Sequence, residues 1–362
     1  MFDKILALFL TLSVLNYSTG IDLYIFADRF LMLGTIALVC FAFLFCKPQR
    51  YLIPKWPIGL MLFCLWHFYA KPFHPLSQHA LFNIFFSLII FYLTLNFAQD
   101  FKWVLWVIIG VTLLNILWAI GQYNHIDFIF QNGGGLPAGF LIDHQSLAGY
   151  ITLALPLFAY YGMAFIIPLI FGVCLNNFTG ICVNMVAGVL ITLRKGFYPL
   201  GFILILGPSI AGFIIQKNFM AKALCRFSLW KETLTAAFLA PFSGYGLGRF
   251  IEFGSKVDKL SNVNYFTAKS EPFEFMYEVG AVVGIGIISY ILYELVRRYK
   301  QAEKTWLLKI ISISLLSFGL SICFQSNLRN PKIAPTVMIL LGYFYILTEQ
   351  EGEKQNVSTL HG

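Results

Sequence analysis

Long apolar blocks separated by short polar breaks dominate the chain. Twelve are distinguishable, at about 3–18, 28–46, 55–70, 78–98, 102–122, 146–161, 163–176, 178–193, 196–216, 273–296, 305–325 and 334–348. A helix needs about 20 mostly apolar residues to cross hydrocarbon. Backbone in hydrocarbon must satisfy its own hydrogen bonds, so blocks of this length predict membrane-spanning helices. The sixth to eighth blocks are crowded, and eleven or thirteen spans fit the pattern too. Met1–Asn16 is short and apolar, but further spans follow and no A-x-A cleavage pattern appears, so it reads as the first helix and not as a removed leader. The predicted fold class is all-α, a polytopic transmembrane helical bundle of about twelve spans. Residues 1–216 hold helices one to nine, 217–272 one long loop with short helices, 273–348 helices ten to twelve, and 349–362 a polar tail expected to be disordered.

Composition narrows the class. Of 362 residues 59% are apolar, 17% aromatic and only 12% charged, against about 25% charged in soluble domains. Mean hydropathy is +0.76. A soluble enzyme, a disordered chain and a collagen-like fibre are excluded. The net charge of +8 needs no nucleic acid, because Lys and Arg collect in the short cytoplasmic loops of membrane proteins. With the N-terminus inside, the inner stretches carry Lys4, Lys47, Arg50, Lys55, Lys102, Arg194, Lys195, Arg297, Arg298, Lys300, Lys304 and Lys354, twelve in all, and the short outer loops Arg29, Lys71, Arg329 and Lys332, four. That bias predicts both termini in the cytoplasm. Seven scattered cysteines make no CxxC and read as small buried hydrophobes, with neither a disulfide framework nor a zinc site.

The long loop, 217–272, falls on the outer face, where connections of about 55 residues are usually functional. Its opening, KNFMAKALCRFSLWKETLTAAFLAPF, has helical apolar spacing and predicts an amphipathic helix lying on the membrane surface. Within it Arg226 precedes Trp230 by four residues, and Pro241 leads to Gly244, Gly246 and Gly248. Arg grips phosphate through parallel hydrogen bonds, and the glycines permit a tight turn whose N–H groups make an anion nest. A snorkelling Arg beside a flexible loop reads the same residues without chemistry. Farther on, Glu271, Glu274 and Glu278 follow Lys269 into span ten; Pro272 fits as first helical residue with Glu271 at the cap. Glu278, about two turns into the membrane, is a functional candidate by depth, or the structural partner of Lys309 or another cation. Asp143-His144 before span six suits a general base pair, or a helix cap with Ser146. Glu294 and Lys309 lie near cytoplasmic ends and read as snorkelling groups. Walker A, HExxH, GxSxG and DxD motifs, internal repeats and a broken-helix pair are not evident. His67, His74, His79 and His125 lack metal-ligand spacing, and His67 reads as a hydrogen-bonded core residue of span three. No metal and no cofactor are expected.

Three of these features, in this order, resemble the O-antigen ligase and polymerase superfamily of bacterial envelope proteins. That family's loop opens with Arg-x-x-x-Trp (here Arg226 and Trp230) and continues to Pro-x-x-Gly-x-Gly-x-Gly (Pro241, Gly244, Gly246 and Gly248). A segment Ala-His-Asn-x-x-Leu-x-x-x-x-Glu-x-Gly enters the next helix, matched by Ala268, Lys269, Ser270, Phe273, Glu278 and Gly280. A Gly-x-x-x-x-x-Asn-x-x-Ala-Gly stretch is matched loosely from Gly139 to Gly149. The resemblance implies transfer of a glycan from a polyprenyl-diphosphate carrier to a glycan or lipid-core acceptor hydroxyl, among membrane lipids at the outer face of the inner membrane. The family's arginines hold the diphosphate and its His activates the acceptor. Here Lys269 stands at the His position, and the family's upstream Arg is missing near Phe178-Thr179-Gly180. The resemblance then leaves Arg226 and Lys269 for phosphate and Glu271 or His144 as base, with Trp230, the three glycines, Asp143 and Glu278 around the substrate. Lys269 itself is a poor base unless burial lowers its pKa by several units. A transporter or flippase of lipid-linked glycan, and a catalytically impaired relative, are the alternatives.

Overall fold

A computed structural model describes residues 1–15, 23–71, 75–123, 140–141, 144–158, 219–250, 252–254, 268–302, 305–324, 328 and 330–360. Regular structure among them is helical: α1 (Phe2–Leu15), α2 (Leu23–Phe45), α3 (Lys55–Ala70), α4 (Pro75–Phe97), α5 (Phe101–Tyr123), α6 (His144–Phe158), α7 (Phe219–Leu239), α8 (Glu271–Val279), α9 (Ala281–Gln301), α10 (Trp306–Ile322) and α11 (Ala334–Leu360). Spans seven to nine (163–176, 178–193 and 196–216), most of the 123–145 loop with Asp143, and the 255–267 part of the long loop lie outside the described residues.

Three helices are long and apolar enough to cross a membrane, Ala27–Phe45, Gln78–Phe97 and Phe101–Gln122; Ser146–Phe158 and Trp306–Ile322 are shorter apolar helices. Four of their threonines bond within the helix: Thr35, Thr94, Thr112 and Thr152 each donate to the carbonyl four residues back. Such back-bonding lowers the cost of a polar side chain in hydrocarbon. Large apolar side chains such as Phe43, Leu44, Trp66 and Leu117 stand exposed on the outside of the bundle, as expected where the surrounding solvent is lipid.

Alternate helices run in opposite directions, as two sets of polar contacts show. At one end Asp3 accepts from the Gln99 N–H and the Tyr343 hydroxyl, Asn96 accepts from the Leu52 N–H, and Arg298 lies over the Tyr345 ring. At the other, Lys71 reaches Gly244, Lys332 reaches Phe140 and Asn330 reaches Ser146. The main core joins α1, α2, α4, α5, α6, α10 and α11; a smaller one joins α7, α8 and the start of α9.

Three expectations change. The tenth apolar block is not one helix: α8 and α9 part at Gly280, whose φ of +100° no other residue type adopts without strain. The tail continues α11 to Leu360, because Glu, Gln and Lys after Thr348 extend a helix already nucleated by the apolar segment. Glu294 does not snorkel as a lone group; it is buried and paired with Arg297 and Arg298. His67 is buried, as a core residue of α3 should be, with the Ser243 backbone beside it.

Candidate functional site

The helix predicted at the start of the long loop is α7. It buries Leu229, Thr233, Ala236 and Ala237 and exposes Cys225, Phe227, Lys231 and Phe238. The half-buried Trp230 leaves this helix to donate its indole N–H to the Ala268 carbonyl at 2.9 Å. Its ring meets Phe273 and Phe324 edge-on or tilted, at 5.5 and 5.8 Å. The Ala268 N–H is in turn held by the buried Glu274 carboxylate, at 3.1 Å. With both backbone groups of residue 268 fixed, the chain turns through Lys269 at φ +53°, left-handed for a residue with a side chain. Ser270 then precedes α8 without a capping side-chain bond, and Glu271 is the helix's first residue, one position earlier than the sequence suggests.

Arg226 lies one turn before Trp230 and is half-buried. Its guanidinium donates to the Phe324 carbonyl at 3.1 Å, just beyond the C-terminal end of α10. A cation there meets the negative end of the helix dipole. Arg226, Trp230, Lys269 and Glu271 therefore share one neighbourhood, linked through Phe324 and Ala268.

The glycine-rich turn forms a second neighbourhood. Gly244, Gly246 and Gly248 all have positive φ. Their N–H groups do not face an open nest. Gly244 donates to the Ala240 carbonyl and Gly246 to the Glu278 carbonyl, while Tyr245 between them donates to Tyr277. The Gly248 N–H donates to the fully buried Glu278 carboxylate at 2.8 Å. Glu278 thus satisfies the turn from inside the protein. The Pro241 carbonyl accepts from the Val282 N–H, so the turn is wedged into the α8–α9 break. The Tyr245 and Tyr277 rings stack at 4.5 Å above it.

A cavity of about 210 Å³ lies between the two neighbourhoods. Its wall is almost wholly apolar and draws on Leu60 of α3, Leu88 of α4, Leu247 of the turn, Phe275 of α8 and Ile288 of α9. Glu271, itself buried, is the one charged residue in the wall among the described residues. Arg226 is not a wall residue; it holds the segment beyond Ile322, which is.

Three residues that the sequence did not mark as site candidates lie near the glycine turn. Lys71, at the end of α3, donates to the Gly244 carbonyl at 2.9 Å. Arg249 follows the turn, and its Nε is buried without a hydrogen bond. His67 lies one helical turn before Lys71, beside the Ser243 backbone. The legible signal was spacing: Leu60, Cys64, His67 and Lys71 share one face of α3. A separate pair, Asp28 of α2 and His79 of α4, meets at 2.8 Å. The backbone of His144 opens α6, but its side chain, like Asp143, lies outside the described residues. Among the described residues no three His, Cys, Asp or Glu side chains are grouped to hold a metal. No family model matches the chain, and no curated protein matches it.

Proposed function

We propose that the chain is a polytopic glycosyltransferase of the O-antigen ligase and polymerase type, with about twelve spans and both termini in the cytoplasm of a bacterium. It moves a glycan from a polyprenyl diphosphate to an acceptor sugar hydroxyl at the outer face of the inner membrane. The observation that carries this reading is the apolar cavity with a single buried carboxylate, Glu271, in its wall. An isoprenoid chain suits such a wall, since each methylene taken from water contributes about 0.8 kcal/mol. A carboxylate there is placed to accept a proton.

The chemistry balances without a further reactant. Glu271 takes the proton of the acceptor hydroxyl as its oxygen attacks the anomeric carbon. The bond from that carbon to the diphosphate oxygen breaks, and polyprenyl diphosphate leaves with the bonding pair. Cationic side chains at this end of the molecule stabilise the charge that develops on it. Lys269 stands two residues from Glu271, and Arg226 positions the wall through Phe324.

Reconstituted protein, a polyprenyl-diphosphate-linked oligosaccharide and an acceptor glycan test the reading by product mass. Glu271→Gln lowers turnover at least 100-fold with donor binding intact, as expected for a lost general base, and Arg226→Ala lowers it as well. Wild-type rates in both variants, or no product from the wild type, overturn the assignment. A flippase of the same lipid is the second reading, favoured by the α8–α9 break, because discontinuous helices serve transporters. Movement of labelled lipid across vesicles without a transfer product selects it.

A further inference from the structure

We propose that His79, set by Asp28, is the proton exit of the site: it takes the proton that Glu271 receives from the acceptor hydroxyl and hands it to water at the outer face. The inference rests on the proposed function, which leaves a proton on Glu271. Asp28 and His79 are the second residues of two spanning helices, Ala27–Phe45 and Gln78–Phe97. The Asp28 carboxylate meets His79 Nδ1 at 2.8 Å; the carboxylate is 14% exposed and the imidazole 40%. A neutral imidazole bonded in this way carries its proton on Nδ1 and keeps a basic Nε2. A carboxylate so placed fixes that tautomer and stabilises the imidazolium when it forms. Among the described residues nothing bonds to Nε2.

The other titratable groups at this end of the helices packed on α4 are Arg29 of α2, His67, Tyr69 and Lys71 of α3, and Lys332 before α11. Lys71 is bonded to Gly244 and Lys332 to Phe140, and none of the five bonds to the pair.

A polar file joins the pair to the cavity. His79, Asn83 and Ser87 recur every four residues along one face of α4. The Ser87 hydroxyl donates to Asn83 Oδ1 at 3.2 Å, and both residues are buried. Asn83 and Ser87 stand in the cavity wall with Glu271, and so does Ala80, the neighbour of His79. The file therefore runs from the wall to the outer end, where the imidazole is exposed. Farther along α4 the polar groups are used otherwise, Thr94 on its own helix and Asn96 on the backbone of Leu52.

Glu271 is 6% exposed, and the wall holds no second titratable side chain among the described residues. Once protonated, its carboxyl must lose that proton before another hydroxyl can be activated. The proton passes, through water along the file, to His79 Nε2, leaving a carboxylate and an imidazolium. The imidazolium then gives it to water or a buffer base outside, and both groups return to their starting state. Imidazole suits the task because it takes and gives a proton readily near neutral pH.

The test compares first and later turnovers of the reconstituted full chain in weak buffer, with polyprenyl-diphosphate-linked oligosaccharide and acceptor glycan. The first turnover needs only a carboxylate already deprotonated; later ones need the exit. His79→Gln is expected to keep the first turnover within about twofold and to slow later ones about tenfold or more, as for a lost proton-transfer group. Added free imidazole restores most of the rate. Asp28→Asn slows later turnovers as well, and decides the matter if His79→Gln does not fold. Steady-state rates equal to wild type in the folded variants overturn the exit and leave the glycosyltransferase standing. So does a loss already present in the first turnover that imidazole does not relieve, since that marks a helix clamp. A wild type that transfers no glycan defeats the proposed function and the exit with it.

Discussion

Lys332 is 2% exposed, and its ammonium donates to the Phe140 carbonyl at 2.7 Å just before α11 begins. Burial pushes its pKa down to about 8, against about 10.4 for a free lysine. Below pH 8 the amine is protonated both folded and unfolded, and the folded state bears the full cost of a buried charge. Between pH 8 and 10.4 the unfolded chain binds the extra proton, so stability rises with pH through that window. The rise is about 3 kcal/mol at most, from 1.36 kcal/mol per pKa unit. Chemical unfolding at stepped pH shows it as a slope that Lys332→Met removes; parallel slopes in the two proteins refute it. Other residues were legible in part. Lys269 and Glu271 stand out in sequence because they enter an apolar block. Arg226 and Trp230 do so by spacing, yet only coordinates show that Arg226 bonds a backbone carbonyl. His67 and Lys71 meet the glycine turn from more than 170 positions away, and no local pattern announces that meeting.

At the level of elements, the joint between the glycine turn and the α8–α9 break is the least replaceable part. A Cβ on Gly244 would lie 2.1 Å from the Glu278 carbonyl oxygen, and one on Gly280 would lie 2.5 Å from the Pro241 carbonyl oxygen. Both clashes are with backbone, and both glycines have positive φ. Gly244→Ala is expected to destabilise by about 3 kcal/mol or more, whereas Gly286→Ala, in open space on α9, stays within about 1 kcal/mol. Thermal unfolding followed by tryptophan fluorescence separates them; equal midpoints refute the interlock. Hydropathy alone merges α8 and α9, since both are apolar and glycine is common in membrane helices. The break depends on a turn some 35 positions earlier, which periodicity does not register. The amphipathic pattern of α7, by contrast, is local and was readable.

For the whole molecule, the charge bias predicts which side each end faces, and the antiparallel contacts give the bias a geometric test. Cys225 is exposed on α7, at the end that holds Lys71 and Phe324. Tyr51 is exposed at the end that holds Asp3 and Asp100. With other cysteines removed, a membrane-impermeant maleimide added to intact cells is expected to modify Cys225 and to spare Tyr51→Cys until the membrane is opened. Modification of both from outside refutes the alternation. The all-helical class was legible because hydrocarbon admits little else. The cavity was not, because its wall is assembled from six helices and a turn, mostly by ordinary apolar residues far apart in the chain.

The hydrogen bonds from Tyr245, Gly246 and Val282 across the break have a consequence for engineering. The region after α7 is not a cassette that can be exchanged at its sequence borders. A chimera that imports residues 240–250 from another protein must import 277–282 with them, or its two halves will present mismatched backbones to each other.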